Sequence, residues 1–105
     1  MDYSTIQYRQ AKDGIGVITL NRPEKRNAIN IQMRIKISDC LYELAQSSDI
    51  NVVIFTGADR SFSAGFDLDE FKNPAIFDAL FESSSKYHRD IWKFSKPTIA
   101  AINGA

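Results

Sequence analysis

From Asn30 to Ser47 the apolar residues Met33, Ile37, Cys40, Leu41 and Leu44 recur every three or four positions, and directly beyond them "INVVIFTG" runs apolar and β-branched to Gly57. The first pattern is the stripe of a helix, with Asn30 placed to cap it. The second does not alternate, and reads as a strand covered on both faces. A helix that delivers the chain straight into such a strand points to a β-α-β unit and a parallel sheet.

The flanks extend the pattern. Tyr3 to Gln10 suits an edge strand, "AKDG" a turn, and "GVITLN" from Gly16 to Asn21 a second strand, so the chain is expected to open with an antiparallel hairpin. Asn73-Pro74 pairs a capping side chain with a ring that needs no donor, and Phe77, Leu80, Phe81, Ser84, Tyr87, Ile91 and Phe94 continue at helical spacing toward Pro97. "TIAAIN" then reads as another short buried strand. The expected order is β-β-α-β-α-β, an α/β fold. Without an internal repeat or a linker, the 105 residues read as one unit. The loop after the last strand, where α/β sheets commonly carry ligands, is missing, so the chain is expected to be part of a longer domain.

Thirteen basic residues balance thirteen acidic ones, which gives no electrostatic reason to expect nucleic acid or an anionic membrane as partner. Cys40 is the single cysteine and His88 the single histidine, so neither an internal disulfide nor a Cys/His zinc set is expected. The N-terminus lacks the pattern of a secretory signal, and no apolar run approaches the ~18 residues of a membrane span. These features predict a soluble protein in a reducing compartment, the cytoplasm.

The strand ending at Gly57 leads into "SFSAGFDLDEF". Asp67 with Glu70 three residues on has the pattern of a capping box, and Phe66 with Phe71 that of a hydrophobic staple. Capping alone accounts for these residue types, with Gly65 supplying a turn that favours positive φ. A second reading adds chemistry: a helix start presents unpaired N–H groups, so the amides near Phe66 and Asp67 can hold an anion or polarise a carbonyl.

Three stretches carry a resemblance. "LNRPEKRNAIN" at 20–30, "VVIFTGADRSFSAGFDLDEF" at 52–71 and "KPTIAAINGA" at 96–105 closely resemble the enoyl-CoA hydratase/isomerase family, also called the crotonase superfamily, in its order and spacing. The resemblance implies the N-terminal part of a crotonase-like spiral of β-β-α repeats that binds acyl-coenzyme A thioesters. It implies that two backbone amides polarise the thioester carbonyl and stabilise an enolate-like anion, the first of them the N–H of Phe66. Lys25, Arg26 and Ala28 are implied to lie along coenzyme A, and Ala64, Phe66, Asp67 and Leu68 to line the thioester and nucleotide region. The implied ligand is the acyl-CoA itself, with no separate cofactor and no metal, and the implied assembly is a trimer or a dimer of trimers.

The implied parent activity is that of a 2-enoyl-CoA hydratase. Many hydratases carry a smaller alanine where this chain has Phe66, and isomerases, hydrolases, dehalogenases and decarboxylases share the same hole. The second donor is implied to come from a glycine past "NGA", and the hydratase glutamates from further on, so the chain by itself is expected to be inactive. The alternative is a non-catalytic crotonase-like module that binds or assembles. By charge alone, Lys25 and Arg26 read as a solvated turn.

Other motifs carry less. "DGIGVI" precedes a strand and lacks a third glycine, so it is not a dinucleotide fingerprint. Ser61 and Ser63 lack a G-x-S-x-G elbow, and His88 reads as a partly exposed helix residue. Cys40, on the helical stripe, reads as a buried thiol, and the acidic residues from Asp59 to Glu70 lack calcium-loop spacing. Trp92 is expected in the core or in a subunit contact.

Overall fold

The computed structural model describes residues 4–105. Among them four strands form one sheet in the order β1-β2-β3-β4: β1 Ile6–Gln10, β2 Ile15–Leu20, β3 Val52–Gly57 and β4 Thr98–Ala100. Two helices, α1 Ile31–Gln46 and α2 Phe77–Trp92, complete the order β-β-α-β-α-β. The hairpin is antiparallel, with Tyr8 opposite Ile18, and the left-handed φ of Asp13 and Gly14 turns the chain between its strands. Tyr3 of the expected first strand lies outside the described residues.

The β-α-β unit is present. α1 carries the chain from β2 to β3, which pair in parallel with Ile18 beside Phe55, and β4 adds in parallel on the far side of β3. The Asn30 side chain accepts from the Met33 N–H at 2.9 Å, which caps α1 as its sequence predicts. The predicted stripe of α1 is buried, joined by Ile6, Ile18, Leu20, Ile50 and Val53 from the sheet and its connections. Tyr87 and Ile91 of α2, and Phe94 beyond it, pack against the edge of this cluster. At the other end of α1, the Lys96 ammonium donates to the carbonyls of Leu44 and Ser47, both at 2.6 Å, satisfying groups that a helix C-terminus leaves free.

Four expectations are corrected. The run "VVIFTG" is covered unequally on its two faces: Val53 is buried under the helices, whereas Ile54, on the opposite face, is only partly buried because both helices pack on one side. β4 is exposed throughout, as the edge strand of the sheet. Asn73 caps a 3-10 turn at Pro74–Ile76 by accepting from the Ala75 N–H, and α2 starts only at Phe77 because Ile76, with ψ near 0°, interrupts the α conformation. Phe81, expected on the buried stripe of α2, faces outward; Trp92, at the last residue of α2, stands 88 % exposed, which leaves the subunit contact of its two expected settings.

Candidate functional site

Two loops meet above the carboxyl ends of β2 and β3. The first runs from Asn21 through a 3-10 turn at Pro23–Lys25 to Asn30; the second runs from Ala58 to a 3-10 segment at Leu68–Lys72. Asn27 joins them. Fully buried and left-handed at φ 56°, it accepts from the Arg22 N–H at 2.8 Å and donates to the carbonyls of Ala58 and Ser61 at 3.0 and 2.9 Å. Asparagine tolerates that backbone region better than most residues, and its carboxamide provides the acceptor and both donors the loops need. Gly57 allows the second loop to turn back, since a Cβ there would lie 2.0 Å from the Ser61 carbonyl oxygen. Asn103 reinforces that turn by donating to the carbonyls of Gly57 and Asp59.

Beyond these ties a parallel bridge pairs Ile29 with Phe66. The Ile29 N–H donates to Gly65 O at 2.7 Å, and the Asp67 N–H donates to Ile29 O at 3.1 Å. Gly65 C=O and Phe66 N–H belong to one trans peptide plane, so they point in opposite directions. With the carbonyl held toward Ile29, the Phe66 N–H is directed away from the bridge, and it has no acceptor among the described residues.

This geometry corrects the reading of a helix start. Leu68–Lys72 is a five-residue 3-10 segment, far short of the aligned peptides that build a macrodipole, and the Asp67 N–H is consumed by Ile29. Of the two amides at Phe66 and Asp67, that of Phe66 stays available. The capping box is half-formed: Asp67 Oδ1 accepts from the Asp69 N–H at 3.0 Å, but Glu70 does not reach back to Asp67. Its carboxylate instead accepts from the Ile31 N–H, at the first residue of α1, at 2.8 Å and from Arg34 at 3.2 Å. The staple is present as an edge-to-face pair of Phe66 and Phe71 with centroids 6.2 Å apart.

The expected site residues come together. Lys25, Arg26, Ala28, Ala64, Phe66, Asp67 and Leu68 all line one open hollow of about 430 Å³, with Asp69 as an eighth wall residue. Lys25 and Arg26 are exposed at its rim, the Lys25 ammonium 3.6 Å from Asp69. Lys72, then Lys25, hold the Asp69 carboxyl below the usual carboxylate range. Ala28 is buried beneath the rim, Leu68 projects outward, and the part-exposed Phe66 ring packs over the Arg34 guanidinium. The Asp67 carboxylate is buried and tied to Arg22 at 3.1 Å. An N–H fixed at the wall of such a hollow, with cations at the rim, can hold an oxygen that gains negative charge and a phosphate further out.

Outside the hollow, His88 is an exposed α2 residue whose Nδ1 lies 2.8 Å from the Ser84 carbonyl. Cys40 is buried, and burial, reinforced by the nearby Glu43 charge, pushes its thiol up to about 12. The sequence reading missed three residues that build the site: Asn27, Arg22 and Arg34. The available signal was a charged residue at position 34 on the same helix face as Met33 and Ile37.

The chain matches the family described as Enoyl-CoA hydratase/isomerase over residues 10–105. It is 32% identical over 95 residues to a probable mitochondrial enoyl-CoA hydratase of Dictyostelium discoideum, covering 90% of this chain and 34% of that protein. It is 35% identical to the mitochondrial Delta(3,5)-Delta(2,4)-dienoyl-CoA isomerase of Mus musculus, covering 98% of this chain and 36% of that protein. The chain thus spans little more than a third of the length of these relatives. Among solved structures, an enoyl-CoA hydratase/isomerase from Xanthobacter autotrophicus Py2 superposes with a TM-score of 0.87 at 36% identity, over 98% of this chain and 40% of that one. The mixed sheet with its helices is therefore the fold of crotonase-like enzymes, present in part. No helix among the described residues is long and apolar enough to cross a membrane.

Proposed function

The chain belongs to the enoyl-CoA hydratase/isomerase family, and on that premise we propose that it binds an acyl-coenzyme A thioester in the hollow and donates the Phe66 N–H to the thioester oxygen. One observation carries the reading: Phe66, whose amide has no acceptor among the described residues, lines the hollow that also gathers Lys25, Arg26, Ala28, Ala64, Asp67 and Leu68. Adding water across a 2-enoyl thioester, or moving its double bond, places negative charge on the carbonyl oxygen. A donor whose direction is set before the ligand arrives meets that charge without reorganising, and such a donor typically contributes ~2.7–4 kcal/mol to the transition state.

In this reading Lys25 and Arg26 meet the phosphates of coenzyme A. The exposed Lys25–Asp69 pair is weakly held, so a phosphate can take the ammonium at little cost. A glycine amide past "NGA" supplies the second donor, and the parent reaction is hydration of a 2-enoyl-CoA. In this reading the chain alone binds without turnover: the Asp67 carboxylate is bonded to Arg22, and the exposed Asp69 lies among the cations of the rim. The same observation favours the second reading, a non-catalytic module that binds or assembles. The exposed Trp92 and the open edge of β4 support an assembled state, a trimer or a dimer of trimers. A reducing compartment, the cytoplasm in this reading, suits the free buried thiol of Cys40.

A conjugated 2-enoyl-CoA labelled with 13C at the thioester carbonyl tests the proposal. Binding to the wild-type chain is expected to move the carbonyl resonance downfield and the absorbance to the red. Phe66→Ala, which keeps the amide, retains both shifts, and Phe66→Pro, which removes it, loses them. A Phe66→Pro variant that binds with unchanged polarisation overturns the assignment. Binding with no polarisation in the wild type leaves only the binding module.

A further inference from the structure

α1 buries an apolar stripe, yet Arg34 lies within it and its side chain is fully buried. Its guanidinium is occupied at three points and on one face. Nη1 donates to Ile29 O at 3.0 Å, Nη2 to Glu70 Oε1 at 3.2 Å and Nε to Ser83 Oγ at 3.0 Å, while the guanidinium carbon sits 5.3 Å from the centroid of the Phe66 ring. We infer that Arg34 is a positioning residue for the Phe66 amide: it locks together the Ile29 carbonyl, the Glu70 carboxylate and the Phe66 ring, the three groups that fix the peptide plane from which that amide points. The inference rests on the proposed role of the Phe66 N–H.

A buried ion pair is a weak source of stability, and apolar residues of similar volume commonly serve as well or better. A leucine or methionine would continue the stripe of α1, so packing does not account for an arginine there. What the planar fork adds is direction, because its donors leave at fixed angles. Ile29 O accepts from both Arg34 and the Asp67 N–H, and Ile29 N–H holds Gly65 O, whose peptide plane carries the Phe66 N–H. Any swing of that plane must break the Ile29 bridge.

The opposite side of the bridge is held the same way. Arg22 donates to Ala28 O at 2.7 Å and to Asp67 at 3.1 Å, so each arginine ties one carbonyl of residues 28–29 to one carboxylate of residues 67–70. Arg34 differs in also reaching α2 through Ser83 and in stacking on Phe66 itself. Its contacts therefore join α1, α2 and the 3-10 segment at the peptide that presents the amide.

The test compares wild type, Arg34→Met, Arg34→Lys and Arg34→Met/Glu70→Gln, the last removing the carboxylate charge that the first would strand. Circular dichroism identifies which variants fold. In the free chain, amide exchange at Ile29 and Asp67 is expected to rise at least about tenfold in Arg34→Met and in the double variant, while amides between β2 and β3 keep their protection. Lysine, a point charge without the fork, does not restore it. With the labelled 2-enoyl-CoA bound at saturation, the carbonyl shift falls by half or more in the same variants. Unchanged exchange and an unchanged carbonyl shift in the folded variants overturn the inference and leave the Phe66 assignment intact. Faster exchange at Ile29 and Asp67, with no carbonyl shift even in the wild type, overturns the Phe66 assignment and leaves Arg34 as the residue that holds this peptide.

Discussion

Replacing Asn27 tests whether the hollow depends on one side chain joining its two loops. Asn27→Ala removes three hydrogen bonds, those to the Arg22 N–H and to the carbonyls of Ala58 and Ser61. At a net value of about 1 kcal/mol each, they sum to about 3 kcal/mol. The left-handed backbone at φ 56° adds about 1 kcal/mol for alanine, giving a loss of about 4 kcal/mol. Asn27→Gly relieves the backbone part and is expected to lose about 3 kcal/mol. Asn27→Asp keeps the acceptor for the Arg22 N–H but sets a carboxylate oxygen against two carbonyls, so it is expected to be at least as damaging as alanine at neutral pH. Urea denaturation measures all three as shifts in midpoint at constant slope. A loss of about 4 kcal/mol is a large share of the ~5–15 kcal/mol that holds a domain together. Full stability for Asn27→Asp would refute the reasoning, because the acceptor alone would then suffice and the donors to Ala58 and Ser61 would contribute nothing.

Two further outcomes follow from the same structure. Because the Cys40 thiol is raised to about 12 when folded and is lower in the unfolded chain, the unfolded state ionises first; stability is therefore expected to fall by about 1.4 kcal/mol per pH unit from roughly pH 9 upward, until the folded pKa is reached. Cys40→Ala should remove that part of the slope in urea titrations at pH 8 to 11, and an identical slope in both proteins would refute it. Lys25→Gln breaks an exposed ion pair and is expected to change stability by no more than about 0.5 kcal/mol, yet to weaken acyl-CoA binding most at low salt. Calorimetric titration at two ionic strengths reads this, and equal affinities for both proteins at low salt would remove Lys25 from the phosphate contact.

Much of the fold is legible in the sequence because its causes are local. Asn30 caps Met33 three residues away, and the spacing from Met33 to Leu44 winds their side chains onto one face whatever lies opposite. The short turn at Asp13-Gly14 closes the hairpin by its own backbone preferences. The residues that motif resemblance implies for the site do line one hollow. Coverage was less legible. "VVIFTG" and "TIAAIN" are apolar enough for strands covered on both faces, but hydropathy states what a strand tolerates, not what packs on it. Here β4 is an edge and both helices occupy one side.

The limit lies where a side chain had to choose between near and distant partners. The pattern of Asp67 and Glu70 determines that both carboxylates can serve backbone amides, and Asp67 does so locally, at Asp69. Glu70 instead caps Ile31, thirty-nine positions away, because the Ile29–Phe66 bridge brings the start of α1 beside it and Arg34 holds the second oxygen. By itself the sequence determined the elements, their order and the residues that gather at the loops, since periodicity, capping and turn preference act over a few residues. Only the tertiary structure decided that Asp67 spends its N–H on Ile29, that Phe66 keeps its own, and that a buried arginine stands behind that amide. A hydrogen bond goes to the partner that packing brings within reach, and packing is a property of the whole chain.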